Sequence, residues 1–199
     1  MNKDMDFFNS CAASWDAIRV TSPARLHKLL HMAAITPGSA VLDVGSGTGI
    51  LLPYLASAIG AGGSITAVDF STNMLDIAQQ KYGEYSNITF ICGDILELEL
   101  PPNSFDAITC LNFYPHLNQR KEEFLHKMLS LLKPGGRLII MHDISRAQVN
   151  GIHGACDAVK EHRLPAAEIT QKLLEQCGYM QATSCENDEM YFVSGTKRK

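Results

Sequence analysis

Five short apolar runs alternate with helical patterns in this chain, and that alternation leaves few folds open to it. The runs cover residues 40–44, 64–69, 88–92, 107–112 and 137–142. Each is too short for a helix, rich in β-branched residues and mostly free of polar alternation, as expected of strands covered on both faces. Helical periodicity predicts helices over 50–59, 72–82, 120–132 and 166–177, with breakers at Gly60, Gly83 and the Pro134-Gly135-Gly136 turn. Two further helices are expected over 4–19 and 22–34, and strand character returns at 182–185 and 190–194. The order is that of an α/β protein, a doubly wound, mostly parallel sheet joined by right-handed crossovers. Such sheets bind ligands beyond the carboxyl ends of their strands.

A chain of 199 residues, 46% of them hydrophobic, suits one domain with a sizeable core, here a helical cap over 1–35 and a core over 36–199. A net charge of -4 disfavours nucleic acid or anionic lipid as a partner held by bulk electrostatics. The N-terminus, MNKDMDFFNSCAASWD, is acidic where a secretory signal is apolar, and no apolar run reaches membrane-spanning length, so a cytoplasmic protein is expected. The six cysteines are scattered without a CxxC pair, and Cys92 and Cys110 fall in runs that look like buried strands, which reads as free, mostly buried thiols.

The stretch VLDVGSGTG places Gly45, Gly47 and Gly49 where the first strand gives way to a helix. Glycines there permit positive φ and close approach of a ligand to the main chain, which implies a nucleotide-like ligand. The spacing is GxGxG, whereas the dinucleotide fingerprint wants a small residue at position 50, where this chain has Ile50. Asp43 precedes the loop, and Asp69 ends the second strand about twenty residues on, placed to accept both ribose hydroxyls. A carboxylate so near the loop repels a pyrophosphate and welcomes a sulfonium or an amino group.

With these motifs the chain resembles the class I S-adenosylmethionine-dependent methyltransferases over roughly residues 36–143. The matching segments are VLDVGSGTG, ITAVDFSTNMLDIA, FICGDIL, FDAITCLNFYPHL and LLKPGGRLIIMHD, in register. The pattern S-x-x-ML-x-x-A and the LKPGG turn are similar to the methyltransferases of quinone biosynthesis and their small-molecule relatives. The resemblance implies a Rossmann-like fold of seven strands, the last antiparallel, with N-terminal capping helices. It implies S-adenosyl-L-methionine as cofactor, S-adenosyl-L-homocysteine as product and a small-molecule methyl acceptor. It further implies a cofactor site of Asp43, Gly45, Ser46, Gly47, Gly49, Asp69, Phe70, Met74, Gly93, Asp94, Ile95 and Leu111. In that site Asp69 grips the ribose, Phe70 and Met74 flank the adenine, Asp94 accepts its amino group and the Leu111 carbonyl receives the methionine ammonium. Met74 and Ile95 read equally as core residues, and Asp94 as a turn or cap residue.

An activated methyl group asks mainly for positioning, exclusion of water and, for a protonated nucleophile, a base. Tyr114 and His116 follow the fourth strand and His142 closes the fifth, so these three are the candidate catalytic residues. The alternative is that the histidines pack or cap without taking a proton. The segment 142–162 also carries Asp143, His153, Cys156, Asp157 and His162, which are metal-capable, but their spacing matches no compact metal motif; a solvated helix over 146–161 is expected and no metal is assigned. Two other readings stand beside the enzyme: a non-catalytic S-adenosylmethionine-binding protein, and an NAD-binding oxidoreductase, which Ile50 and Asp43 disfavour.

Overall fold

The computed structural model describes residues 3–19 and 21–199. Two compact units divide the chain, one ending at Leu98 and the other beginning at Glu99. The strands belong to a seven-stranded sheet, in the order 88–92, 64–69, 40–44 within the first unit and 105–111, 132–142, 191–196, 180–186 within the second. No helix among the described residues is long and apolar enough to cross a membrane.

In the first unit, β1 (Ala40–Val44), β2 (Ser64–Asp69) and β3 (Ile88–Cys92) are parallel and end on the residues expected from the sequence. β1 is buried at Val41, Leu42, Asp43 and Val44, which explains its unbroken apolar character. The helix α4 (Leu52–Ile59) starts two residues later than expected, because residues 46–51 are spent on the glycine turn. Helix α5 (Thr72–Tyr82) is capped by Ser71, whose side chain accepts the Met74 N–H at 3.2 Å. Ahead of β1, α3 (Pro23–Ala33) starts with Pro23 in its first turn and Ser22 as N-cap, the arrangement that supplies a fixed φ and satisfies an orphan donor.

The single helix expected over 4–19 is instead broken into α1 (Lys3–Cys11), a 3-10 turn at Ala12–Ser14 and the short α2 (Trp15–Ile18). Serine hydroxyls account for the break. Ser10 donates to the Phe7 carbonyl at 2.7 Å and Ser14 to the Cys11 carbonyl at 3.2 Å, competing with the helical ladder.

In the second unit, β4 (Phe105–Leu111) and β5 (Leu132–His142) are parallel, while β7 (Tyr191–Thr196) runs antiparallel to β5 and to β6 (Met180–Glu186). The Pro134-Gly135-Gly136 turn lies within the span of β5: its partner register jumps from Phe105↔Leu132 to Ala107↔Arg137, so the extra residues bulge out. Helix α6 (Lys121–Leu131) precedes β5, and α8 (Ala167–Gln176) precedes β6. The helix expected over 146–161 stops early, as α7 (Arg146–Gly154), with glycines at 151 and 154 weakening its last turn. Its start is secured by a reciprocal capping box between Ser145 and Gln148. All six cysteines are unbridged, but only Cys110 and Cys177 are buried; Cys92, expected in a buried strand, is exposed because β3 is not covered on both faces.

Candidate active site

The first unit places the glycine loop against the end of β2. Gly45, Gly47 and Gly49 all have positive φ, at 68°, 55° and 83°. The Gly45 and Ser46 amides donate to the Val68 carbonyl at 2.9 and 3.0 Å, the Gly47 amide to Asp69 Oδ2 at 2.8 Å, and the Gly49 amide to the Ser46 carbonyl at 2.9 Å. These four donors are consumed inside the protein, so the loop is not the nest of outward amides that a phosphate requires.

Two of the glycines are bare for different reasons. A Cβ built on Gly49 falls 2.9 Å from Leu52 Cδ1 and 2.9 Å from the Tyr82 ring, so packing forbids it; a Cβ on Gly47 meets nothing within 4 Å. Gly49→Ala should therefore lower folding stability by about 1–3 kcal/mol, from strain at positive φ and crowding. Gly47→Ala should cost stability roughly 1–2 kcal/mol through φ alone. Urea unfolding of both variants checks that ordering.

Asp69 is 8% exposed, and both its oxygens have amide partners: Oδ2 accepts from Gly47 and Oδ1 from Ser71 at 2.9 Å. Burial pushes its carboxyl above the ordinary range, against the pull of the Ser71, Gly47 and Phe70 amides. Each oxygen keeps a second lone-pair direction, so the carboxylate is oriented by the loop and retains acceptor capacity for two hydroxyls. Asp43 is buried at 1% exposure, and the buried Ser46 hydroxyl has no hydrogen-bond partner among the described residues. Gly93 donates to the Asp69 carbonyl at 2.9 Å, linking the third strand's end to the same carboxylate-bearing residue.

The other residues of the first unit split into two groups. Phe70 is partly exposed with its ring edge-on to Phe8 at 5.8 Å, whereas Met74 and Ile95 are 2% and 4% exposed. Asp94 is exposed and makes a turn, its Oδ1 accepting from Leu96 N at 2.9 Å.

The N-terminal segment touches this loop through residues that sequence reasoning did not single out. The Asp16 carboxylate accepts from the Thr48 hydroxyl at 2.6 Å and from Lys81. Those hydrogen bonds hold its carboxyl below the ordinary range in spite of the opposing effect of burial. Asn9 Oδ1 accepts from the Ser71 hydroxyl at 2.7 Å and the Asn73 amide at 3.3 Å, while Asn73 Nδ2 donates to the Asn9 carbonyl at 3.0 Å. Contacts separated by 62 or more residues for Asn9 and by 32 for Asp16 and Thr48 leave no local pattern to read.

In the second unit, β4 ends at Leu111, which is 6% exposed. Asn112 follows at φ 56°, with Nδ2 donating to Asp143 Oδ1 at 2.8 Å and its main-chain N–H to the Met141 carbonyl at 2.9 Å. Tyr114 is fully buried. Burial and the neighbouring Tyr191 drive its hydroxyl far up, despite the Thr170 hydroxyl, so it is a donor and not a base at working pH. His142 is buried beside Tyr191, ring edge to face at 5.6 Å.

His116 lies in a group of imidazoles. Its Nδ1 is 3.1 Å from His162 Nδ1, and His153 Nδ1 donates to the His162 carbonyl at 2.6 Å. Burial, then the charges of His153, His162, His142 and Lys121, push His116 well below its ordinary value, so the ring is neutral near pH 7. No group of three His, Cys, Asp or Glu side chains among the described residues is arranged to hold a metal ion.

A parallel sheet whose first strand ends in a glycine loop, braced by the carboxylate that ends the second, defines a nucleoside-binding α/β protein of the Rossmann-like class. More narrowly, the chain is similar to class I S-adenosylmethionine-dependent methyltransferases. A methyltransferase-domain family model matches residues 41–136. The chain is 33% identical over 147 residues to the ubiquinone/menaquinone biosynthesis C-methyltransferase UbiE of Ectopseudomonas mendocina, covering 70% of this chain and 57% of that protein. It is 30% identical over 171 residues to the UbiE of Pseudomonas aeruginosa, covering 82% of this chain and 66% of that protein. It therefore spans somewhat less than two thirds of either relative's length. A crystal structure of a SAM-dependent methyltransferase from Aquifex aeolicus superposes with a TM-score of 0.72 at 23% identity, covering 88% of this chain and 94% of that one. That likeness is one of fold.

Proposed function

We propose that this chain transfers the methyl group of S-adenosylmethionine to a ring carbon of a small hydroquinone, leaving S-adenosylhomocysteine. The observation that carries the cofactor is the brace between Asp69 and Gly47, in a loop whose amides are already consumed. It suits a neutral ribose and a cationic sulfonium and offers little to a pyrophosphate. The orphaned Ser46 hydroxyl and the open space over Gly47 fit the same group. Asp69 would hold the ribose hydroxyls and Asp43 would place negative charge near the methionine end. Phe70, Met74, Gly93, Asp94 and Ile95 would border the adenine, and Leu111 would offer its carbonyl to the ammonium.

The substrate class follows the quinone-biosynthesis relatives. S-adenosylmethionine, when bound, supplies an electrophilic methyl group, so the acceptor must be the electron-rich hydroquinone and not the quinone. Ionising a hydroxyl raises electron density on the neighbouring ring carbons, and a neutral imidazole is the group that can take that proton near pH 7. His116 is that base in this reading; Tyr114 and His142, buried close to the same strand ends, support it. The reaction acts on a small molecule and not on nucleic acid, in the cytoplasm, with residues 1–199 working as a single methyltransferase domain.

The N-terminal helices form a cap on the cofactor in this reading, supported by the bonds from Asp16 to Thr48 and from Asn9 to Ser71. Asn9→Ala and Asp16→Ala should each weaken S-adenosylhomocysteine binding about 3- to 10-fold while costing about 1–2 kcal/mol of stability, the scale of part-buried polar contacts to the buried Ser71 and Thr48 hydroxyls. Unchanged affinity in both would remove the cap. Calorimetric titration with S-adenosylhomocysteine, run beside NAD, tests the cofactor. One-to-one binding of the former alone is expected, and NAD binding would overturn the reading. Radiolabelled methyl transfer to a dithionite-reduced naphthoquinone bearing a short isoprenoid chain tests the acceptor. Label appearing on the ring carbon is expected, and label on oxygen would refute C-methylation.

A further inference from the structure

We infer that His162 is a positioning residue: its Nδ1 and that of His116 share one proton, which sets the tautomer of His116 so that Nε2 carries the lone pair that accepts the substrate proton. The inference rests on the reading of His116 as the base of a methyltransferase.

The geometry is specific about protons. Two Nδ1 atoms 3.1 Å apart form a hydrogen bond only when one proton lies between them, because two lone pairs or two N–H groups would repel. The neutral pair therefore holds its rings in opposite tautomers. The main chain of His162 is held in place. Its amide donates to the Val159 carbonyl at 2.9 Å and its carbonyl accepts from His153 Nδ1 at 2.6 Å. Two residues on, the Leu164 amide donates to Asn150 Oδ1 at 2.8 Å, and Asn150 Nδ2 donates to the Leu164 carbonyl at 3.0 Å. The segment after α7 is thus tied back to α7 at His162 and at Leu164, and His162 is only 7% exposed. His153, whose Nδ1–H is committed to a carbonyl, cannot offer that nitrogen to either neighbour.

The charged and titratable groups that bear on His116 are Lys121 from α6, His142 from β5, His153 from α7 and His162 itself. Arg163 bears on His153. Each of the groups bearing on His116 disfavours a positive charge there.

During turnover the hydroxyl proton of the acceptor passes to His116 Nε2, and the Nδ1 proton of His116 stays hydrogen-bonded to His162 or moves onto its Nδ1. The electron pair left on oxygen feeds the ring, which forms the carbon–methyl bond as the methyl–sulfur bond breaks with its electrons kept by sulfur. The ring carbon then loses its own hydrogen as a proton and the oxygen regains one. One proton is released in all, matching the positive charge lost by the sulfonium.

Two-bond proton–nitrogen correlation spectra of histidine-labelled full-length protein near pH 7.5 read the tautomers directly. His116 is expected with its proton on Nδ1 and His162 with its proton on Nε2. Finding both as Nε2–H tautomers would overturn the pairing. His162→Phe should keep S-adenosylhomocysteine affinity, shift His116 to the Nε2–H tautomer, and lower kcat for the reduced naphthoquinone about 10- to 100-fold with KM within about threefold. His162→Asn, whose amide reaches the place of Nδ1 with an acceptor but cannot take a proton, should restore the Nδ1–H tautomer and most of kcat. Undiminished kcat in His162→Phe, or no rescue by His162→Asn when its tautomer is restored, would refute the positioning role. If the wild type binds S-adenosylhomocysteine but methylates no hydroquinone, the acceptor reading falls and takes the catalytic half of the inference with it, while the spectra still decide the pairing.

Discussion

Replacing Asp69 by alanine is expected to weaken S-adenosylhomocysteine binding roughly 10- to 150-fold, about 1.5–3 kcal/mol, while leaving the sheet intact. Two losses add up. The ribose hydroxyls lose a charged acceptor, and the Gly47 and Ser71 amides lose the carboxylate that orients the loop. Asp69→Asn keeps the shape but has one acceptor oxygen for two amides that now use both, so it should recover little affinity. Titration calorimetry of both variants decides the matter, and affinity unchanged in Asp69→Ala would remove Asp69 from the site.

The same carboxyl predicts a pH dependence whose sign is fixed by burial. Its pKa is raised above the ordinary 3.8 in the free protein, and the ribose hydroxyls favour the ionised form. Affinity is therefore full above the raised value and falls as pH drops through it, earlier than for an ordinary aspartate. Asp69→Asn should abolish that dependence. Folding stability of the ligand-free protein carries the opposite sign: the folded state holds this proton more tightly than the unfolded one, so the group's contribution falls as pH rises from the ordinary value to the raised one.

His116→Ala is expected to lower kcat about 10²- to 10⁴-fold, the usual contribution of a general base, without changing S-adenosylhomocysteine affinity. Its pH profile supplies a second, independent check. The base must be neutral, and burial among like-charged neighbours has pushed it well below the ordinary 6.5. Wild-type activity should hold as pH falls through 6.5 and fail only below it. An acid limb at or above the ordinary value would assign the proton transfer to another group. Stability follows the same direction: the unfolded chain binds the proton more readily, so acidification below the ordinary value destabilises the fold.

The elements most legible beforehand were those whose signal is local. β1, β2, β3 and α5 run over the residues that apolar runs, helical periodicity and breakers marked, because those signals are written within a few neighbouring positions; β3, expected to be covered on both faces, instead has only intermediate and exposed residues. The same holds for the glycine loop and Asp69, whose spacing reflects one strand-turn-helix crossover. Legibility failed where side chains overruled periodicity: the hydroxyls of Ser10 and Ser14 broke the first helix, and the turn before residue 137 became a bulge inside β5.

Sequence alone thus determined the class of protein, since binary pattern and turn chemistry act over short spans and specify a doubly wound sheet with a nucleoside loop. Tertiary structure decided which residues meet. The sequence separations of 46 between His116 and His162, and of 62 between Asn9 and Ser71, carry no periodic relation that pattern reading can use. Those pairs exist because the packed elements close large loops, and hydrogen bonds between such partners form only after burial of the apolar faces has met that entropy.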